Sequence, residues 1–190
     1  MVKGMYHFLR EAWKKPDKEI LRKRMTEWRK ENSMVKVEKP LRLDKARALG
    51  YKAKKGIVVA RIRIGRGGHK KTRPNKGRRS KRMTSRKTLK MSYKWIAEQK
   101  VARKFSNLEV LNSYFLGKDG VNYFYEVILV DPTKSEIKKD KTINWICKPK
   151  NKKRAARGLT SAAKKSRGLR NKHPTSKVRP SVRAGGRLGK

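Results

Sequence analysis

Acidic side chains stop twice along this chain: none lies between Asp44 and Glu98, and none follows Asp140. Inside the first gap, the stretch from Gly65 to Arg86 holds ten Lys or Arg, and apart from Pro74 its only apolar side chain is Met83. Such a stretch buries too little surface to offset its ordering entropy, so it has no fold of its own in water. The end of the chain repeats the pattern. From Lys148 to Lys190 sixteen side chains are basic, set among Gly, Pro, Ser and Ala. Like charges repel along both segments, so a defined path requires a polyanion packed around them.

The totals agree with that requirement. A formal net charge of +43 and a pI near 11.1 lie far beyond what solubility needs and point to nucleic acid, with an anionic membrane surface as the weaker option. With 190 residues and 35% hydrophobic content, the chain suits one modest domain carrying long extensions. No run of about 18 apolar residues is present to span a bilayer. The opening Met1 to Glu11 lacks the unbroken apolar core of a signal peptide, so a cytoplasmic location is expected. Cys147 stands alone, which rules out an intrachain disulfide and a cysteine-based zinc site; it reads as a small buried hydrophobe.

Met5, Phe8, Leu9, Ala12 and Trp13 recur at helical spacing and predict a first helix, ended by Pro16. Asp17 caps a second, whose apolar stripe is Ile20 or Leu21, Met25 and Trp28. Trp13 and Trp28 are expected as core anchors. A short extended segment, Val35 to Pro40, precedes a helical turn capped by Asp44 and stopped by Gly50. The run from Gly56 to Ile64 predicts a strand with Val58, Ala60, Ile62 and Ile64 toward the core and Arg61 and Arg63 on the opposite face, continuous with the basic stretch. Leu89, Tyr93, Ile96, Ala97 and Val101 outline a helix ending near Phe105. Asn107–Leu116 and Val121–Val130, joined by Gly117 to Gly120, predict a hairpin that Asp131-Pro132 terminates. Ile143 to Ile146 suggests one more short strand, and core signals stop after Pro149.

The expected fold class is therefore α+β: a small, largely antiparallel sheet flanked by helices, with a long basic internal loop and a basic C-terminal extension. In residue terms this is one domain over 1–147, interrupted by the loop at 65–86 and followed by the extension at 148–190.

Catalytic chemistry finds little support. Lys71-Thr72 stand where a phosphate-binding loop would place them, but Lys70 replaces the required glycine and Pro74 prevents a following helix. Glu98, Glu109, Glu126 and Asp131 are expected to pair with nearby Lys and Arg. His7, His69 and His173 show no ligand spacing. No enzyme, cofactor, metal or small-molecule substrate is indicated.

Nucleic-acid binding is favoured instead. A duplex-DNA reader would show a helix-turn-helix, zinc ligands or a basic region leading into heptads, and none is present. The segment from Lys148, fully extended at about 3.3 Å per residue, reaches on the order of 140 Å, which suits a large folded RNA rather than one duplex face. The candidate RNA-binding residues of the strand and loop are Arg61, Arg63, Arg66, Lys70, Lys71, Arg73, Lys76, Arg78, Arg79, Lys81, Arg82 and Arg86. Those of the C-terminal segment are Lys148, Lys152, Lys153, Arg154, Arg157, Lys164, Lys165, Arg167, Arg170 and Lys172. A DNA-compacting protein and an RNA-modifying enzyme are the rival readings.

Several strings resemble the archaeal and eukaryotic family of large-subunit ribosomal protein fifteen. They are Asp44-Lys45-Ala46-Arg47, Leu49 to Lys54, Val59 to Arg63 with Arg66-Gly67-Gly68, Val110 to Tyr114, Glu126 to Pro132, Arg157 to Ala162, and Ser166 to Leu169. The resemblance covers nearly the whole chain and departs from the eukaryotic pattern between Pro74 and Thr88 and beyond Lys172, which favours an archaeal source. It adds Arg47, Lys52, Lys54 and the adjoining Lys55 to the expected contacts. It implies a non-catalytic constituent of the large ribosomal subunit that binds large-subunit rRNA beside other ribosomal proteins, with the α+β domain near the particle surface and the basic arms running inward.

Overall fold

A computed structural model of the chain describes residues 2–68, Gly77 and residues 91–170. Two helices open it. α1 spans Met5–Lys14 and α2 Lys18–Lys30, with Asp17 capping α2 by accepting from the Glu19 amide (2.8 Å) and the Ile20 amide (3.2 Å). Of the alternatives for the α2 stripe, Leu21 joins Met25 and Trp28 against the core while Ile20 is exposed.

Four strands, β1 (Met34–Val37), β2 (Ile57–Gly65), β3 (Glu109–Lys118) and β4 (Asn122–Val130), form one antiparallel sheet in the order β1-β2-β4-β3. The expected hairpin is present, its turn displaced toward β4: the Asp119 carboxylate accepts from the Val121 amide (2.7 Å) and from the Asn122 amide.

Both faces of the sheet are covered. Val58, Ala60, Ile62 and Ile64 pair with the odd-numbered residues of β4 and meet α4 (Tyr93–Lys104) through Ala97 and Val101. The other face carries Phe124, Ile128 and Tyr114 under Trp28 of α2, Ala46 of α3 (Leu43–Ala48), Ile137 of α5 (Ser135–Lys138), Ile143 and Ile146. Burial of each Ile or Val here contributes about 1.5–3 kcal/mol. The anticipated inward set is therefore correct, but its partner face is not solvated. α2 lies over it: Arg61 bonds Glu31 at 2.5 Å beneath the Trp28 ring, and Arg63 donates to the Arg29 carbonyl.

Other expectations change for local reasons. Trp13 is half-buried, not a core anchor; α1 packs on α3, and the Arg42 guanidinium lies 4.8 Å over the Trp13 ring. Arg42 occupies the N-cap position of α3, placing Asp44 inside its first turn, where it pairs with Arg42 at 3.4 Å. Ile143–Ile146 is not a strand. The Asp140 carboxylate receives the Thr142 amide (2.9 Å) and hydroxyl (2.6 Å), and its carbonyl receives the Ile143 and Asn144 amides, which winds Asn144–Cys147 into a 3₁₀ turn.

None of the four carboxylates expected to pair with Lys or Arg makes such an ion pair among the described residues. Glu98 accepts from the Ser113 and Thr160 hydroxyls, and Glu126 from the Tyr114 hydroxyl and the Leu41 amide. Glu109 accepts from the Lys153 and Arg154 amides, and Asp131 from Thr133. Glu98, Glu109 and Glu126 are buried, and hydroxyls and backbone amides satisfy their carboxyls in place of a direct ion pair.

Candidate nucleic-acid interface

The basic loop leaves the domain through a pinned base. Beyond β2, the Arg66 amide donates to the Val121 carbonyl (2.7 Å), and its guanidinium donates to the Asp119 carbonyl (2.7 Å) while lying 5.3 Å over the Tyr123 ring. One residue on, Gly67 has φ +104°, a conformation that side chains disfavour. Its amide donates to the Tyr93 hydroxyl (2.9 Å), which in turn donates to the Gly67 carbonyl (3.0 Å). Because Tyr93 is the first residue of α4, the departing and returning ends of the loop are joined at hydrogen-bond distance. The Ser92 amide then reaches the Ser166 hydroxyl (3.0 Å) on α6 (Ser161–Ser166), so the C-terminal segment arrives at the same place.

That segment does not stop contributing to the core at Pro149. Its backbone bonds Glu109, the Thr160 hydroxyl bonds Glu98 and caps α6, and Ala155, Ala162 and Ala163 are buried. Small side chains hid this from hydropathy: three alanines and a threonine pack closely without raising local hydrophobicity. On the same stretch Lys148, Lys150, Lys152, Lys153, Arg157, Lys164, Lys165 and Arg170 are all exposed.

A family model described as Ribosomal L15 matches residues 4–185. The chain belongs to the Ribosomal L15 family. A protein of Methanospirillum hungatei named large ribosomal subunit protein eL15 is 53% identical over 190 residues, covering 97% of each chain. One of the same name from Methanocella arvoryzae is 52% identical over 196 residues, covering both chains in full.

In this member of the Ribosomal L15 family, the candidate contacts divide by geometry. Arg154 is turned inward: only 8% exposed, its guanidinium donates to the Val110 and Leu111 carbonyls (2.5 and 2.8 Å) and lies 4.9 Å from the Trp145 ring. Arg61 and Arg63 are likewise directed to α2 and its C-terminal end rather than continuing the loop's surface, for the reason given above. Lys52 and Lys54 bond Asp140 at 2.8 and 2.5 Å and hold its carboxyl well below the usual carboxylate range. Arg157 donates to the Lys150 carbonyl (2.6 Å), and Arg167 to the Gly158 carbonyl (2.8 Å), which shapes the segment's path. Arg47, over the Tyr6 ring at 5.5 Å, and Lys55 are exposed. Lys70, Lys71, Arg73, Lys76, Arg78, Arg79, Lys81, Arg82, Arg86 and Lys172, with Leu89, His69 and His173, lie outside the described residues.

Sequence reasoning missed Tyr93, which ties the loop base, and Glu98, which ties the C-terminal segment. The available signals were a tyrosine opening a helix directly after a basic stretch and an acid at a core-facing helical position, one residue after Ala97 and three before Val101.

Proposed function

We propose that this chain is a non-catalytic structural constituent of the cytoplasmic large ribosomal subunit, where it binds large-subunit rRNA and locks neighbouring rRNA helices together during translation. Its partners are that rRNA and other large-subunit proteins. Lys and Arg of the 65–86 loop and of the 148–190 segment, Arg154 excepted, neutralise phosphates and release counterions. RNA shape and ribose hydroxyls, rather than base sequence, govern the fit. The names of the two archaeal relatives support the assignment to the large subunit.

The observation that carries this reading is the bond between Ser92 and Ser166, which brings the return of one acid-free segment against the other at the start of α4. The two segments carry charge of one sign, so their meeting at this point favours a polyanionic partner such as phosphate between them. Among the described residues no helix is long and apolar enough to cross a membrane. The test compares the protein's affinity for a structured large-subunit rRNA fragment with that for duplex DNA at one salt concentration. Tighter binding to the rRNA is expected; equal affinity would favour a DNA-compacting protein.

A further inference from the structure

On the α4 face, the end of the sheet nearest the departing loop is aromatic. Register sets Tyr123 beside Ile64 and Tyr125 beside Ile62, and places Phe115 of β3 against Tyr125. Tyr93 stacks on Tyr123 with centroids 4.6 Å apart and an interplanar angle of 29°, and Arg66 lies over Tyr123 as well. Tyr123 therefore already has its stacking partners, and Tyr125 is buried.

Phe115 differs from both. It meets Tyr123 and Tyr125 only at steep angles, 61° and 64°, with centroids 6.2 and 5.7 Å away, and no parallel ring contact covers it among the described residues. It is 40% exposed on an edge strand. Lys118 pairs with Tyr123 and so shares the ring's face, while Arg66 stands at the root of the basic loop; both are exposed. The acid of the adjoining turn, Asp119, is turned to its own turn amides and lies 3.8 Å from Arg29.

We propose that Phe115 is a stacking platform for one unpaired RNA base, with Arg66 and Lys118 supplying the cations for that nucleotide's phosphates. An open aromatic ring in a cluster that also carries the exposed cations Arg66 and Lys118 matches a nucleotide, which is planar and apolar in its base and anionic in its backbone. A protein partner's apolar side chain would fit the ring but leave the flanking charges without counterparts. This inference rests on the RNA-binding reading above and adds a base contact to a surface otherwise described by phosphate and ribose contacts.

The experiment uses the full-length protein and a short single-stranded RNA carrying a fluorescent aminopurine base, titrated at several salt concentrations. Stacking on Phe115 quenches the reporter in the wild-type complex. Phe115→Leu, which keeps apolar area but removes the π face, weakens binding roughly 5- to 100-fold, abolishes the quench, and leaves the salt slope of binding unchanged, because every phosphate-neutralising cation is still in place. Phe115→Trp retains affinity and quench.

Wild-type affinity and quench in Phe115→Leu would overturn the platform while leaving the general RNA-binding reading intact. Failure of that reading shows differently, as wild-type protein with no salt-dependent RNA affinity. Ultraviolet crosslinking of uridine-containing RNA to the unmutated protein provides a test free of folding effects. An adduct at Phe115 is expected, and adducts confined to other residues would overturn the assignment.

Discussion

The Thr160 hydroxyl donates to the buried Glu98 carboxylate, joining the C-terminal segment to α4 across 62 residues of sequence. Ser113 of β3 donates to the same carboxyl group, so one side chain gathers a helix, the sheet and the segment that follows Pro149. Part of the basic C-terminal region is in this way built into the domain.

Thr160→Val tests that attachment. The substitution removes the donor to Glu98 and also the side-chain cap of α6, where Thr160 accepts from the Ala163 amide at 3.3 Å. A stability loss of about 2 kcal/mol is expected in urea unfolding, with faster proteolysis at Arg167 and Arg170. Thr160→Ser, which keeps the hydroxyl, should recover most of the loss.

Stability should fall as pH rises above 4.5, because burial holds the Glu98 and Glu126 carboxyls above that ordinary glutamate value. Between 4.5 and their raised folded values the native chain binds more protons than the unfolded chain; their stabilising contribution is complete below 4.5 and is lost as pH climbs through the folded values. Asp140 acts in the opposite sense. Its carboxyl is held low by Lys52 and Lys54, so its contribution is present above 3.8 and is lost only as pH falls further. In thermal unfolding followed against pH, the double variant Glu98→Gln/Glu126→Gln should flatten the decline above 4.5 and leave the acid limb in place. A wild-type slope in that variant would contradict the assignment.

Strands, the hairpin and the α2 cap were legible because alternation at β2, the β-rich runs flanking Gly117 to Gly120, and Asp17 ahead of Glu19 are local signals. What the sequence hid was long-range or compositionally quiet. α2 covers the Arg61 face with Leu21, Met25 and Trp28, the last meeting Phe124 with ring centroids 5.2 Å apart, a pairing across the chain that no local pattern announces. Arg154 resembles its basic neighbours in sequence, yet the Val110 and Leu111 carbonyls draw it inward. For the candidate interface, charge distribution located the segments, while the hydrogen bonds joining their bases, through Tyr93 and Ser92, depend on the tertiary fold.

Gly56→Ala should be among the most damaging small substitutions. Gly56 has φ +87°, and an added Cβ would sit 2.8 Å from Ile137 Cγ1 and 3.2 Å from Lys134 Cβ. Backbone strain and overpacking together predict a loss of about 2–4 kcal/mol, read as a lowered thermal midpoint. A midpoint equal to wild type would show that the α5 region yields freely.

Tyr93→Phe removes both bonds to Gly67 while keeping the stack on Tyr123. A modest stability loss of about 1 kcal/mol is expected. Amide exchange at Gly67 should quicken, whereas exchange within β2 should not.

The central claim is that the acid-free segments act through rRNA phosphates, and the salt dependence of binding to a structured large-subunit rRNA fragment tests it most directly. Replacing Lys70, Lys71, Arg73, Lys76, Arg78 and Arg79 with Gln in the full-length chain should make the slope of log K against log salt shallower by roughly 0.7–0.9 for each phosphate the protein no longer neutralises. A slope unchanged by removing all of these charges would contradict the account.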